Sequence, residues 1–520
     1  MKKSSKSAPA PLDKHRFEAG LQCHKRLWLD AHDPVEEVDS EARKIMSRAG
    51  DELRDLARTA FPKGVAVTGK NAEAAAAETA RLLEQGEPVL FDATFVADGV
   101  VAVCDVLVVH KDKKADLFEI KAGTKVKHRY VNDLALQATV IEQCGLELQR
   151  AFLLHINMAY VHKAGEPFPP MQLIRSADVT AKVQKQRQPV QNRLKQFRQV
   201  LDQADAPALP MGTYCTTPFP CPHFARCRAE SAGHPLCDLP ELSRQQELAM
   251  HKDGIEDALA LADDRPDLNF RQRRTLACLR SQKQIVETFV KDELKGCTKP
   301  WHFVAFATYT EPLPRFDRQK PWQMTPYAWA AVTVHEDGRV EQAAHVHLDR
   351  DDPRPSFAPT LARHLEVGGT VLCWNDEPVR ELRALLDGLP DEKAHVRSLL
   401  GQPHLDMMKL FESGVFDPQL RDYRDLRLAV AALLGDRSGD DVAMLGDDER
   451  LQALDKARQP RVRATTRDKL AAEFEAGLRW QAERLRQLFE HFAGITVAPP
   501  APKPKPQKPR AAKPLPKLPE

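Results

Sequence analysis

The stretch from Val100 to Lys121 reads VVAVCDVLVVHKDKKADLFEIK and contains two runs typical of neighbouring β-strands joined by a polar turn. The first run is apolar on both faces except for Asp105 in its middle. The second places Glu119 and Lys121 on one face, because side chains alternate along a strand. An unpaired buried carboxylate is costly, so acids in such strands usually bind a metal ion or another cation. The sequence therefore predicts that two acids and a lysine converge at one site.

The segments on either side predict a compact α/β unit around these strands. Apolar residues at helical spacing predict a helix from Arg43 to Ala60, ahead of the strands. The strand pattern covers 88–96, 99–110 and 116–121, and it is followed by a helix over 130–144 and a strand over 150–161. Helices and strands that alternate in this way favour an α/β core.

A second α/β unit is predicted further along the chain. The segment from Pro240 to Gly296 is charged and predicts helices throughout, and the strand pattern restarts at His302. A hairpin is expected around Asp337 and Gly338, followed by a strand over 370–374 and helices up to about Phe492. The chain ends in a segment rich in proline and lysine, which predicts a disordered basic tail.

Composition excludes several classes of protein. The chain has 520 residues with 76 Lys and Arg against 74 Asp and Glu, so its net charge of +2 argues against a protein that coats nucleic acid through bulk charge. It contains no run of 18 apolar residues and no secretory signal, so we expect no membrane contact and a cytoplasmic location. Ten cysteines are too few for a disulfide scaffold, which favours metal or cluster ligands where they group together.

The strand residues resemble a known nuclease signature. Asp105, thirteen intervening residues and then Glu119-Ile120-Lys121 look like the PD-(D/E)XK motif, and Gln137 on the next helix matches the glutamine of the RecB-like branch. Helical spacing directs Gln137 inward. The resemblance implies a restriction-endonuclease-like mixed sheet and hydrolysis of phosphodiester bonds.

The same resemblance implies a role for each residue. Asp105 and Glu119, with the Ile120 carbonyl, would hold Mg²⁺ or Mn²⁺, which prefer oxygen ligands. Lys121 would orient or help deprotonate the attacking water and offset charge in the transition state, with Gln137 completing the catalytic set. Relatives add a ligand from the N-terminal helix, for which Glu52 or the adjacent Asp51 is the candidate here.

A basic loop follows the second strand directly. It contains Lys125, Lys127 and Arg129. Such a run is typical of a solvated loop, but its position beside a phosphate-cleaving site equally favours contacts to a nucleic-acid backbone.

Four cysteines form a second candidate site. Cys23 precedes the strands, and Cys215, Cys221 and Cys227 follow them as C-x5-C-x5-C. Thiolates bind Zn²⁺ and iron-sulfur clusters alike. The arrangement resembles the iron-sulfur nucleases of CRISPR adaptation and of helicase-nuclease repair complexes, in which a 4Fe-4S cluster joins the two ends of the domain. Zn²⁺ stays open as the alternative, and Cys237 is left outside the set.

Residues 17–492 resemble a bacterial family of unknown function that joins a RecB-like nuclease to a domain similar to DEDD exonucleases, which have the RNase H-like fold. In those relatives the first strand of the second domain carries Asp-x-Glu, whereas this chain has Ala305 and Ala307. Asn375 and Asp406 match later motif positions, and Gln481 stands where an acid is expected. A two-metal site cannot form without its paired acids, so we expect a pseudo-exonuclease.

These observations predict five segments. They are a disordered N-terminus (1–16), a RecB-like nuclease with its cysteines (17–235), a helical connector (236–299), a degenerate exonuclease-like domain (300–495) and a disordered tail (496–520). The expected function is a metal-dependent nuclease acting on nucleic acid, with DNA favoured by the resemblance and protein partners expected at the second domain and tail. The alternative is a non-catalytic nucleic-acid-binding or assembly protein.

Overall fold

The computed structural model describes residues 11–35, 40–420 and 422–495, and the predicted tail at 496–520 lies outside them. The first unit contains helices α1 (Lys14–Gln22), α2 (His24–His32), α3 (Glu41–Arg58), α4 (Ala72–Glu84), α5 (His128–Gln143), α6 (Pro170–Leu173), α7 (Thr180–Leu201) and α8 (Phe224–Glu230). Its strands are β1 (Val65–Ala66), β2 (Val89–Ala97), β3 (Val100–Val109), β4 (Lys114–Lys121), β5 (Glu147–Ile156) and β6 (Ile174–Asp178). They form one mixed sheet in sequence order, which confirms an α/β fold.

Helices cover both faces of the middle of this sheet. Strands β2, β3 and β4 run antiparallel to one another, whereas β4 and β5 are parallel and are connected by α5. Helix α5 buries Leu134 and Ala138 against one face of the sheet, together with α7. Helix α3 buries Leu53 and Ala57 against the other face. The strands that carry the acids therefore lie between helices.

The N-terminal segment differs from the prediction of disorder over 1–16. Residues 1–10 lie outside the described part of the chain, but Leu12 is buried and forms a bridge alongside Val100. Asp13 then caps α1 by accepting a hydrogen bond from the Arg16 N–H at 2.9 Å. The prediction was wrong for residues 11–16, because one apolar side chain and one capping residue are enough to order the segment on the sheet.

The second unit follows α9 (Arg244–Lys252), α10 (Phe270–Ser281), β7 (Ile285–Val286) and α11 (Thr288–Gly296). Its strands are β8 (Trp301–Tyr309), β9 (Thr325–Val334), β10 (Val340–Val346), β11 (Thr370–Cys373), β12 (His404–Asp406) and β13 (Val415–Phe416). Its helices are α12 (Arg354–His364), α13 (Glu377–Glu381), α14 (Leu385–Gly388), α15 (Lys393–Gly401), α16 (Met407–Gly414), α17 (Leu426–Leu434), α18 (Asp447–Ala457) and α19 (Ala464–Ala493).

The sheet of the second unit has the order β10-β9-β8-β11-β12. Strands β8, β11 and β12 are parallel, and β9 is antiparallel to both of its neighbours. This arrangement agrees with the expected RNase H-like domain. The predicted hairpin is confirmed at β9 and β10, where Gly338 takes a positive φ of 82°. The long helix α19 packs across the sheet and ends at Gly494, which is also left-handed.

The connector is shorter and less helical than predicted. Strand β7 interrupts its helices and pairs with β13, and α11 packs against α16 and α19 of the second unit. Residues from Ile285 onward therefore belong with the second unit. The sequence missed β7 because a strand of two residues is too short to show periodicity.

The second unit contacts the first close to the acid-bearing strands. The loop between β8 and β9 places Leu313 and Trp322 in the apolar cluster that contains Leu53 of α3. The Trp322 indole N–H donates to the Ala122 carbonyl at 2.9 Å, directly after the end of β4. The two units therefore share a core at this edge of the first sheet.

No helix among the described residues combines the length and the apolar character that a membrane span requires.

Candidate active site

Asp105 and Glu119 lie on adjacent antiparallel strands. The β3–β4 pairing ends at Val106 and Phe118, so the next residues in register are Asp105 and Glu119. At that point the Ile120 N–H donates to Asp105 Oδ2 at 2.7 Å. A side chain has taken the place of a ladder hydrogen bond, which puts the Asp105 carboxylate at the position where the two strands separate.

The sheet is also distorted on the other side of Asp105. Asp92 of β2 stands opposite Asp105 in the register and has a φ of 54°, which is unusual for a residue other than glycine. Its carboxylate binds the Arg58 guanidinium at 2.6 Å. Backbone strain of this kind is often found at functional sites.

Glu119 and Lys121 share the face covered by α5, as the alternation predicts. Gln137 donates from Nε2 to Glu119 Oε2 at 2.8 Å, which confirms that this glutamine points inward. Lys121 forms a close ion pair with Glu119. Phe118 and Ile120 pack on the opposite face.

Two further residues complete the polar cluster, which we define as Asp105, Glu119, Asp133, Lys14 and Lys121. Lys14 Nζ lies 2.5 Å from Asp133 Oδ2 and 3.3 Å from Glu119 Oε1, and Lys121 Nζ lies 3.2 Å from Asp133 Oδ2. Sequence analysis missed both Lys14 and Asp133. Lys14 lies in the segment assigned to disorder, whereas Asp133 had a usable signal: it is a carboxylate one helical turn before Gln137 on the buried face of α5.

The candidate ligand Glu52 is not at this site. Its two carboxylate oxygens accept hydrogen bonds from the Arg315 guanidinium at 3.0 and 2.9 Å, so it binds the second unit instead. Asp51 pairs with Arg54, and Arg54 Nε lies 3.3 Å from Asp105 Oδ1. Helix α3 therefore supplies a cation to Asp105, and its two candidate acids are paired with Arg54 and Arg315 instead.

The two strand acids differ in protonation. Burial, together with the charge of Glu119, raises the pKa of Asp105 to about 7. Burial would also raise the pKa of Glu119, but the ammonium groups of Lys121 and Lys14 and the Gln137 hydrogen bond lower it to about 2. Burial also acts to lower the pKa of Lys121, but the surrounding carboxylates outweigh it and raise that pKa well above the usual value.

These donors suit a divalent cation. Asp105 and Glu119 offer carboxylate oxygens from neighbouring strands, and hard ions such as Mg²⁺ and Mn²⁺ prefer such ligands. Burial is the main cause of the raised pKa of Asp105, with the charge of Glu119 second, and a cation bound between the two acids would favour the charged form of Asp105. Gln137 Oε1 is buried and has no hydrogen-bond partner among the described residues, so it can accept one from a metal-bound water.

The predicted backbone-binding loop runs from the end of β4 to the start of α5. Lys125 and Lys127 are exposed. Arg129 is half-buried, with its guanidinium 4.9 Å from the ring centres of both Tyr130 and Phe219. The three cations thus lie on the surface beside the polar cluster.

The four predicted cysteines line one cavity. Cys23, Cys215, Cys221 and Cys227 all face it, although Cys23 is almost 200 residues from the others in sequence. Cys23 is the residue before α2, and the backbone N–H groups of that helix reach its sulfur. Burial raises the pKa of the Cys215 thiol to about 11, so a bound cation is needed to make it a thiolate.

The cavity has another polar residue that sequence analysis missed. His223 is buried and lines the same space, and its Nε2 lies 2.7 Å from Asp30 Oδ1 while Nδ1 has no partner among the described residues. The position of His223 between Cys221 and Cys227 was a signal that could have been used. Cys237 does not line the cavity, in agreement with its omission.

The second unit contains a cavity of about 650 Å³ at the sheet edge where exonuclease acids were expected. Ala305, Asn375 and Gln481 line it, and so does Arg450, which is 5% exposed. The Arg450 guanidinium donates to Gln481 Oε1 at 2.8 Å. The matching positions thus surround a buried cation.

Asp406, the acid expected from a later exonuclease motif, has a structural role. It accepts a hydrogen bond from the Lys409 N–H and caps α16. The Lys409 ammonium lies 3.0 Å from Asp406 and 2.8 Å from Asp376, so both acids already share a cation.

Comparison with known protein families gives a match for one part of the chain. A model for a domain of unknown function, DUF2779, matches residues 302–423, which run from β8 to the residues before α17. No curated protein matches the chain. The matched segment lies entirely in the second unit, and the polar cluster and the four cysteines lie outside it.

Proposed function

We propose that this protein is a metal-dependent nuclease that hydrolyses phosphodiester bonds of nucleic acid, with DNA as the favoured substrate. The observation that carries the proposal is the meeting of Asp105, Glu119 and Lys121 at one point of the sheet, with Gln137 bonded to Glu119. A bound divalent ion would polarise the scissile phosphate.

Each side chain has a role that follows from its contacts. Asp105 and Glu119 would hold the ion. Lys121 keeps its proton at neutral pH because its pKa is raised, so it supplies positive charge beside the phosphate and does not act as a base. Gln137 fixes the orientation of Glu119.

The cysteine cavity is proposed to hold a 4Fe-4S cluster. The four cysteines line one cavity, and their order along the chain, one ahead of the first sheet and three behind it, resembles that of iron-sulfur nucleases. Thiolates bind Zn²⁺ as well, so zinc is the alternative. A brown protein that absorbs near 400 nm supports this assignment, and a colourless one with stoichiometric zinc overturns it.

A single assay tests the nuclease proposal. Labelled single-stranded and duplex DNA and RNA are incubated with Mg²⁺ or Mn²⁺ and the wild type, Lys121→Ala or Lys114→Ala. Lys114 begins the same strand but lies outside the polar cluster, so it is a matched control. We expect the wild type and Lys114→Ala to cleave, and Lys121→Ala to bind without cleaving. No cleavage by the wild type, or equal cleavage by Lys121→Ala, contradicts the proposal.

One observation favours a second candidate, a non-catalytic nucleic-acid-binding or assembly protein. Lys14 and Lys121 both pair with Glu119 and Asp133, and such pairs can hold buried acids without any metal ion. The second unit, proposed as a pseudo-exonuclease platform, suits this candidate as well. Binding without cleavage by the wild type under every metal condition would select it.

A further inference from the structure

A cleft of about 740 Å³ lies between α1, the first turn of α5 and the loop 216–220. Its walls include His15 and Asn132, which are the sequence neighbours of Lys14 and Asp133. The cleft therefore lies beside the first turns of α1 and α5, the helices that carry Lys14 and Asp133, and it is the candidate approach to the polar cluster.

The charges of the cleft suit a phosphate chain. Four arginines line it, namely Arg16, Arg26, Arg43 and Arg129. It also has three carboxylates, Asp13, Glu18 and Asp30, of which Asp13 caps α1 and Asp30 pairs with Arg26 and His223, so the arginines outnumber the acids by one. Phosphates bind such surfaces independently of sequence.

The cleft also contains a buried polar atom without a partner. Asn132 is 5% exposed, and its Oδ1 has no hydrogen-bond partner among the described residues. Its Nδ2 lies 3.3 Å from His128 Nδ1, which fixes the amide. An unpaired acceptor in a buried amide is costly unless a ligand supplies a donor. Nucleobases carry such donors.

An exposed aromatic side chain, Phe219, forms part of the wall of the cleft. Phe219 is 51% exposed, although a large apolar side chain gains free energy from burial. The Arg129 guanidinium lies over the rings of both Phe219 and Tyr130, 4.9 Å from each ring centre. Phe219 also lines the cleft, so part of its ring is open to a ligand there.

The loop between two of the cysteines holds this ring in place. The Gln22 side-chain amide donates to the carbonyls of Phe219 and Tyr214 at 2.7 and 2.8 Å. The Cys221 N–H donates to the Cys215 carbonyl at 2.9 Å and closes the base of the loop. Prolines flank Phe219 on both sides and reduce the freedom of the backbone. The ring is thus pre-positioned before any ligand binds.

We propose that Phe219, supported by Arg129, is a stacking platform for an unpaired base, and that the strand entering the candidate active site is single-stranded nucleic acid. This inference rests on the proposed function. A base in a duplex has both faces covered by its neighbours, so the platform selects single strands. Stacking on an aromatic side chain contributes about 1 to 3 kcal/mol per base.

The test measures binding separately from cleavage. Fluorescence anisotropy with a labelled oligonucleotide, single-stranded or annealed to its complement, is recorded in EDTA so that no cleavage occurs. Phe219→Ala is compared with Phe270→Ala. Phe270 is 50% exposed and lies 5.4 Å from the Arg274 guanidinium, so it is the same kind of pair on a different surface. We expect about a tenfold loss of single-strand affinity for Phe219→Ala and none for Phe270→Ala.

Further variants separate stacking from a structural effect on the cysteine loop. Phe219→Trp and Phe219→Tyr keep an aromatic face and are expected to retain the affinity, whereas Phe219→Leu keeps apolar bulk and is expected to lose it. Each variant is accepted only if its absorbance spectrum and thermal unfolding match the wild type.

The outcomes distinguish this inference from the nuclease proposal. A wild type that binds single strands through Phe219 but never cleaves them supports the platform and contradicts the nuclease. A wild type that cleaves, with equal affinities for Phe219→Ala and Phe270→Ala, overturns the platform alone. An equal loss of affinity for duplex and single strand in Phe219→Ala also overturns it, as does a wild type that binds no single strand.

Discussion

The two sheets of this protein differ in the side chains at the places where catalytic acids were expected. In the first unit, Asp105 and Glu119 place carboxylates where two strands separate. In the second unit, the first strand has Ala305 at the cavity, and the buried charge there is the Arg450 guanidinium. The first site offers carboxylate oxygens that could hold a divalent cation, whereas the second places a guanidinium among the positions where such acids were expected.

The difference teaches that these α/β layouts do not determine chemistry by themselves. A few side chains at the strand ends decide whether a site can hold a metal ion. The second unit nevertheless stays attached to the first, since Trp322 bonds to the residue after Lys121 and Arg315 binds Glu52. We infer that it supports the first site structurally.

The largest expected effect comes from removing one carboxylate from each region. Glu119→Gln removes a ligand charge and should lower the cleavage rate about 100-fold or more. Glu377→Gln, in the wall of the second cavity, should change the rate less than about twofold, because an acid remote from the reacting phosphate adds no transition-state charge stabilisation. Initial rates on one labelled substrate measure both. Equal losses would remove the distinction between the regions.

The next largest effect is expected from a cysteine substitution, which should change both the cofactor content and the thermal stability of the first unit. Cys221→Ser should abolish the cofactor and lower the unfolding midpoint of the first unit by roughly 10 to 20 °C, taking the closure of a loop of almost 200 residues as about 5 kcal/mol. Cys237→Ser is the matched control, since Cys237 does not line the cavity. Calorimetry and iron analysis of both proteins check this. A Cys221→Ser protein that retains its iron would contradict the assignment.

The stability of the second unit should depend on pH through His302, a buried histidine of its sheet. Burial lowers the pKa of His302 to about 4, from about 6.5 in an unfolded chain. Below pH 6.5 the unfolded state takes up a proton that the folded state refuses, so stability falls as the pH falls towards 4. Between pH 7 and 5 the loss is about 2 kcal/mol.

His302→Gln is the comparison for that titration. Its urea-unfolding free energy should vary about 2 kcal/mol less than the wild type over the same pH interval, because glutamine does not titrate. Parallel pH profiles of the two proteins would show that His302 is not the group responsible.

The smallest expected effect tests the link between the regions. Trp322→Phe keeps the ring in the shared core but removes the hydrogen bond to the Ala122 carbonyl. We expect a loss of about 1 kcal/mol in unfolding free energy and a modest fall in cleavage rate. Trp480→Phe, whose indole bonds to Ser438 within the second unit, is the control and should leave cleavage unchanged. A fall in rate for both variants would argue against a specific link.

Much of the fold could be predicted from the sequence because its signals are local. The strand around Asp105 and the Glu119–Lys121 alternation follow from a period of two, and the inward direction of Gln137 follows from helical spacing. Strand β7 was missed because its two residues are stabilised only by a distant partner strand.

The site residues that could not be predicted from the sequence are those whose positions depend on long-range contacts. Lys14 meets Glu119 across more than 100 residues, and Arg54 faces Asp105 only because α3 packs with one particular rotation. Glu52 was expected at the site, but its neighbour in space is Arg315 of the other unit. No local pattern carries such information.

The most direct test of the central claim is the binding of Mn²⁺ followed by electron paramagnetic resonance. Glu119→Gln and Asp406→Asn each remove one carboxylate charge, and asparagine keeps the helix cap that Asp406 provides. We predict that Glu119→Gln binds one Mn²⁺ fewer than the wild type and that Asp406→Asn binds the same number. The reverse result, or no difference between the two variants, would contradict a metal site in the first sheet.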